Sequence, residues 1–112
     1  MPIVTTIEGR IAQVAIDRPE KRNTLSSELC KDLAREFLEL NDDTRVRSIV
    51  LCGHNNVFCA GLDIEEQLAE NTPIFNEFQK VIDALDALSK PVVAAVSGPA
   101  VSQGAAMLYH CD

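Results

Sequence analysis

Apolar positions along the chain switch between a period of two and a helical period, and the switches mark the elements. Ile3–Glu8 and Ile11–Ile16 are short runs rich in β-branched residues, separated by Gly9-Arg10, and read as a β-hairpin. Pro19 stops the second strand inside the polar loop Asp17–Asn23. From Ser26 or Ser27, either able to cap a helix, Leu29, Leu33, Phe37 and Leu40 fall on one face with Cys30 and Ala34. Glu28, Lys31, Asp32, Arg35 and Glu36 mostly take the opposite face, and Asn41–Thr44 ends the helix.

Ser48–Cys52 is continuously apolar, the pattern of a strand covered on both faces, which favours a parallel sheet. Gly53–Asn56 is a turn. Thr72-Pro73 predicts a helix start, with Thr72 as N-cap and Pro73 in the first helical position. Phe75, Phe78, Ile82 and Leu85 form its expected buried stripe, joined by Val81 and Leu88. Pro91 closes that helix. Val92–Val96 is expected to be a second fully buried strand ended by Gly98, and Gln103–Cys111 a buried helix. The order hairpin, helix, strand, turn, helix, strand, turn, helix implies α/β layers. In such sheets ligands bind at the carboxyl ends of the strands, where the Gly-containing turns fall.

Composition narrows the function classes. The 112 residues are 46% hydrophobic and 24% charged, which is ordinary for a single soluble domain with a modest core. A formal net charge of -7 argues against a basic nucleic-acid-binding surface. Cys30, Cys52, Cys59 and Cys111 show neither C-x-x-C spacing nor a matching histidine pair, so they read as small buried hydrophobes rather than disulfide or metal partners. No run approaches the roughly 20 apolar residues of a membrane span, and the amino terminus lacks a secretory pattern. A cytoplasmic location is the resulting expectation.

The chemistry concentrates in two segments, V-F-C-A-G-L-D-I at Val57–Ile64 and K-P-V-V-A-A-V-S-G-P-A-V-S-Q-G at Lys90–Gly104. Each is a short apolar run that ends in small residues with accessible backbone. Gly61-Leu62 and Gln103-Gly104 fall at turns, the second at the start of the last expected helix, where unpaired N–H groups are available. Two such N–H groups aimed at one carbonyl oxygen suit a thioester on which negative charge builds. Tight turns alone would also account for the glycines. There is no G-x-G-x-x-G and no Gly-Lys-Ser/Thr, so neither a dinucleotide fingerprint nor a P-loop is present.

Arg18-Pro-Glu-Lys-Arg-Asn-Thr-Leu25, then F-C-A-G-L-D-I, then K-P-V-V-A-A-V-S-G-P-A ending in H-C-D, occur in the order and spacing of the crotonase superfamily. The chain resembles the amino-terminal half of enoyl-CoA hydratase/isomerase proteins, over essentially residues 1–112. Its G-P-A-V looks more like the Δ3,Δ2-enoyl-CoA isomerase and chromodomain-Y-like branches than the hydratases proper. The resemblance implies an α/β fold, a truncated crotonase-like (ClpP/crotonase) spiral of β-β-α units. It also implies an acyl-CoA thioester as ligand, coenzyme A entering as part of the substrate with no separate cofactor, and a trimeric or hexameric parent assembly.

By position the oxyanion-hole donors would be the backbone N–H groups of Leu62 and Gln103. Gln103 stands where the family commonly has Gly, which leaves the backbone donor but adds a side chain at the site. Ala60, Gly61, Asp63 and Ile64 match the loop that lines the adenine, and Lys21 or Arg22 are candidates for the CoA phosphates. A solvated loop charge is an equal alternative for those two. Ala106 takes the place of a catalytic Glu of hydratases, and alanine has no acid–base chemistry. The second acid of hydratases falls beyond Asp112.

Other ionisable groups carry less. His54 reads as a surface residue. His110 and Cys111 would point about 100° apart on a helix, against a Cys–His pair. Asp63 reads as a helix-start acid, with Glu65 and Glu66 behind it. Two functional expectations follow. One is an acyl-CoA-processing enzyme, isomerase-like rather than hydratase-like. The other is a catalytically inactive fragment or isoform that binds CoA weakly or associates with a full-length relative, with exposed apolar surface that favours aggregation.

Overall fold

A computed structural model describes residues 2–112. The hairpin forms as expected: β1 (Ile3–Glu8) and β2 (Ile11–Ile16) pair antiparallel around Gly9, whose φ of 64° suits a residue without Cβ. β2 then pairs parallel with β3 (Ser48–Gly53), and β3 parallel with β4 (Val92–Ala95), giving the sheet order β1-β2-β3-β4. The crossovers are α1 (Ser27–Asp42) and, between β3 and β4, the short α2 (Ile64–Leu68) followed by α3 (Ile74–Ala87). After β4 come a single turn, α4 (Gln103–Ala106), and a 3-10 turn at Met107–His110. A further 3-10 turn spans Pro19–Lys21.

Register explains where the core lies. The rows Ala12–Ile49–Val92 and Val14–Leu51–Ala94 face α1 and α3, whose apolar stripes pack against them and each other. Leu29, Leu33, Phe37 and Leu40 of α1 are buried, as their spacing requires. Ser26 is the N-cap, its Oγ accepting from Leu29 N at 3.1 Å. Lys90 closes the other end of α1 by donating to Leu40 O at 2.6 Å and Asp43 O at 2.7 Å.

Four expectations are corrected here. β4 is not buried on both faces: Val93 is 53% exposed and Val96, beyond the strand, 46%. The row Gln13–Val50–Val93 faces away from both helices, so a continuous apolar run here signals an open second face. Helix α3 begins one residue later than expected, with Pro73 at the N-cap position and Thr72 Oγ1 accepting from Ile74 N at 3.4 Å. Its buried stripe is rotated toward Ile74, Val81, Ile82, Ala84 and Leu85, leaving Phe75 53% exposed and Phe78 half-buried. Glu77 is buried in that stripe, with Oε1 accepting from Lys80 Nζ at 3.2 Å and Oε2 without a partner among the described residues. Finally, Gln103–Cys111 is not one buried helix; only Gly104 and Met107 in it are buried.

Candidate functional site

Both turns of interest lie beyond the carboxyl ends of the parallel strands, and backbone pairing brings them side by side. Cys59 and Ala100 form a parallel bridge, with Cys59 N–H donating to Pro99 O at 3.2 Å and Val101 N–H to Cys59 O at 2.9 Å. Close approach demands a glycine at 104, because a Cβ there would stand 2.2 Å from Cys59 O. Gly61 has φ 103°, a conformation that side chains disfavour. A Cβ built on it would lie 3.2 Å from Val101 O, 3.5 Å from Ser102 Cβ and 3.7 Å from Gln103 Oε1. The 61–62 turn and the 101–103 turn are therefore in contact.

The pairing also fixes which amides are free. Leu25 N–H donates to Gly61 O at 2.8 Å, and Leu25 O accepts from Asp63 N–H at 2.8 Å. In a parallel bridge of this kind, residue 62 turns its own N–H and C=O away from Leu25. The Leu62 N–H has no protein acceptor among the described residues, and neither has the Gln103 N–H. Ser102, just before it, holds φ 54° and ψ -120°, a backbone conformation costly for any residue but glycine. Because α4 is a single turn, the aligned dipole of a long helix contributes little here, and what the turn offers is individual N–H groups.

A polar framework supports the 60–64 loop from behind. Asp63 is 8% exposed and caps α2, its Oδ1 accepting from Glu65 N at 3.0 Å and Glu66 N at 3.3 Å, while Oδ2 pairs with Arg18 Nη2 at 3.1 Å. Burial opposes ionisation of this carboxyl, but the Glu66 amide and the Arg18 guanidinium outweigh it and hold the pKa below the usual carboxylate range. The helix-start role expected of Asp63 is thus correct, and both its oxygens are occupied. Arg18 also donates to Thr24 O at 3.0 Å. Asn23, fully buried at φ 57°, accepts from Arg18 N at 2.7 Å and donates to His54 O at 3.1 Å and Val57 O at 2.8 Å. Glu66 ties α2 to α1 by accepting from Ser27 N and Ser27 Oγ.

Of the residues expected to meet coenzyme A, Lys21 and Arg22 are exposed on the 18–24 loop, and Arg22 O accepts from Ala60 N at 3.2 Å. The basic loop therefore borders the Ala60–Ile64 turn. Gly61 is buried, Ala60 is half-buried, and Ile64 is 67% exposed. Arg18, Asn23 and Ser102 are site-supporting residues that received no role from the sequence. Only the clustering of polar residues in Arg18–Thr24 hinted at the first two, and nothing in the sequence flags the strain at Ser102.

Burial disfavours the thiolate at all four cysteines. Burial pushes Cys59 up to about 11 and Cys30 up to about 12. Cys52 and Cys111 are half-buried and also raised by burial. His110 Nδ1 meets Asp86 Oδ1 at 2.6 Å, while Cys111 Sγ meets Met107 O, so the adjacent pair does not act together. His54 is exposed. An open groove of about 620 Å³ between α1 and α3 is lined by none of the residues of the two turns.

Comparison with known proteins places the chain in a family. The family model described as enoyl-CoA hydratase/isomerase matches residues 6–112. The chain belongs to that family. It is 38% identical over 101 residues to the enoyl-CoA hydratase AKT6-1 of Alternaria alternata, covering 89% of this chain and 34% of that one. It is 35% identical over 115 residues to a short-chain-enoyl-CoA hydratase of Clostridium acetobutylicum, covering 98% and 44%. Among solved structures, PA4980 of Pseudomonas aeruginosa superimposes with a TM-score of 0.94 at 34% identity, over 99% of this chain and 50% of that one. An enoyl-CoA hydratase from Mycobacterium avium subsp. paratuberculosis superimposes with a TM-score of 0.90 at 27% identity. The fold is crotonase-like, and this family member spans half or less of these relatives' lengths.

Proposed function

We propose that the paired turns bind the carbonyl of an acyl-CoA thioester, with Leu62 N–H and Gln103 N–H as the donors. The observation that carries this reading is the unpaired state of those two amides on turns that touch each other. The carbonyl oxygen of a thioester becomes an oxyanion when a proton leaves the adjacent carbon. Each preorganised donor lowers the barrier to that charge, by about 3–4 kcal/mol where one has been removed in other enzymes. Lys21 or Arg22 takes the phosphates of the CoA moiety, and Ala60, Gly61, Asp63 and Ile64 form the wall beside its adenine.

The chemistry is isomerase-like rather than hydratase-like. Ala106 takes the place of a catalytic Glu of hydratases and has no acid–base chemistry; an isomerisation also needs a group to take up and return the proton, and that group is a residue other than Ala106. Asp63 does not replace the Glu, since Arg18 and two backbone amides occupy its oxygens. AKT6-1 and the Clostridium acetobutylicum relative are called hydratases, so this distinction rests on Ala106 and the G-P-A-V run. A second reading is favoured by the exposed Val93, Val96, Val101 and Tyr109: the 112-residue chain by itself is inactive and binds CoA weakly or associates with a full-length relative.

The test is a titration of the isotopically labelled chain with butyryl-CoA and with its thioether analogue, which lacks the carbonyl. The amide resonances of Leu62 and Gln103 should move with the thioester and stay in place with the thioether. Equal response to both ligands, or none to either, overturns the oxyanion-site reading. Hydration of crotonyl-CoA by the same sample is expected to be undetectable.

A further inference from the structure

The outer edge of β1 is open along its length. Asp17 N–H bonds Pro2 O at 2.7 Å, and hydrogen-bonded pairs recur at every second residue of an antiparallel ladder, so Val4, Thr6 and Glu8 turn their backbone groups toward β2. Ile3, Thr5 and Ile7 therefore aim N–H and C=O away from the sheet, without a backbone partner among the described residues. The opposite edge is covered where β4 begins: Val92 N–H donates to Asp112 Oδ2 at 2.9 Å, and Val92 O accepts from Asp112 N–H at 2.7 Å. β1 also lacks the usual shields of an edge. Its pairing with β2 runs unbroken from Ile3 to Glu8, and the run I-V-T-T-I carries no charge and no proline.

Two further observations lie on this edge. Ile3, Thr5 and Ile7 share the helix-facing side of the sheet with Ile16, Val14 and Ala12, their partners in β2. The Thr5 hydroxyl is closed off from solvent there and has no hydrogen-bond partner among the described residues, which is unfavourable. Beside Ile3, a recess of about 210 Å³ opens between β1 and α1, lined by Pro2, Ile3, Asp32, Arg35, Glu36 and Glu39.

We propose that two copies of this chain join antiparallel along β1, about a two-fold axis at Thr5. This register engages all three open residues: Thr5 meets the second copy's Thr5 and Ile3 meets its Ile7, each pair exchanging two backbone bonds. Residues directly opposite share a face, so the two orphan hydroxyls become each other's partners. A shift of two residues would part the hydroxyls and lose a bonded pair. Each Ile7, 39% exposed in the single chain, is set opposite Ile3 of the other copy, on the side where the recess opens. One strand pair is a small interface, so the dimer is weak and concentration-dependent.

Sedimentation velocity from about 10 µM to about 1 mM reads the equilibrium. The wild type should shift from monomer toward dimer over that range, and Thr5→Pro should stay monomeric. Proline there removes only an outward N–H, because the bonds to β2 come from Val4 and Thr6. Thr5→Val keeps the shape, removes the orphan hydroxyl and should weaken the dimer about three- to tenfold. In a mixture of labelled and unlabelled wild type, an intermolecular NOE between Val4 Hα and Thr6 Hα marks the register centred on Thr5. Val93→Lys, on the open face of the sheet, should leave the dimer intact. A wild type monomeric throughout, a dimer that survives Thr5→Pro or is unweakened in Thr5→Val, a dimer without that NOE, or one abolished by Val93→Lys overturns the proposal. Circular dichroism checks the fold, and Thr5→Val decides if Thr5→Pro does not fold.

Discussion

Removing the Arg18–Asp63 ion pair should cost far more than loss of a surface salt bridge. The two side chains are 19% and 10% exposed, and the pair joins residues 45 positions apart across the back of the 60–64 loop. An exposed pair contributes at most about 1 kcal/mol, whereas breaking a buried one by deleting one partner costs about 3–5 kcal/mol. This pair retains some solvent access, so Asp63→Asn should destabilise by about 2–3 kcal/mol. Asparagine still caps α2 through its side-chain oxygen, which keeps the cap out of the measurement. Asp63→Ala also removes the cap and should cost about 1 kcal/mol more.

The pH dependence has a fixed sign. The carboxyl of Asp63 titrates lower in the folded protein than in the unfolded chain, so its contribution is complete above about pH 4 and is lost as pH falls through the folded value. Wild type and Asp63→Asn should thus differ in urea-denaturation midpoint at pH 7, and the difference should shrink as pH falls below about 4. A double-mutant cycle with Arg18→Met isolates the pair. A coupling energy below about 0.5 kcal/mol, or a stability difference that persists unchanged at pH 3, would refute this account.

Two backbone predictions concern the second turn. Gly104→Ala forces a Cβ to within 2.2 Å of Cys59 O, so it must part the Cys59–Ala100 bridge; chemical denaturation should show a loss of about 2–4 kcal/mol, and an unchanged midpoint would mean that the turns are not in contact. Ser102→Gly relieves a positive φ at the loss of one hydroxyl contact and should raise stability by up to about 1 kcal/mol in the same assay; a clear destabilisation would show that the hydroxyl outweighs the strain.

Much of this fold is local in origin. The hairpin around Gly9, the amphipathic α1 with its Ser26 cap, and the apolar β3 follow from spacing and turn chemistry, which the sequence states directly. The three motifs carrying the family likeness are contiguous runs, and they were legible for the same reason. Asp63 as a helix-start acid was equally local, because its cap bonds reach only two and three residues along.

Tertiary structure decided what depends on partners distant in sequence. Whether Val93 is buried depends on what lies over the far face of the sheet, and the alternation of one strand does not contain that information. Which side of α3 faces inward was set by its packing on α1, which seated Glu77 in the core and left Phe75 outside. The freedom of the Leu62 amide is decided by Leu25, 37 positions earlier, whose bonds to Gly61 and Asp63 on either side turn it outward. The sequence determined which segments could offer unpaired N–H groups; only the folded chain set the two turns against each other and determined which groups remained free.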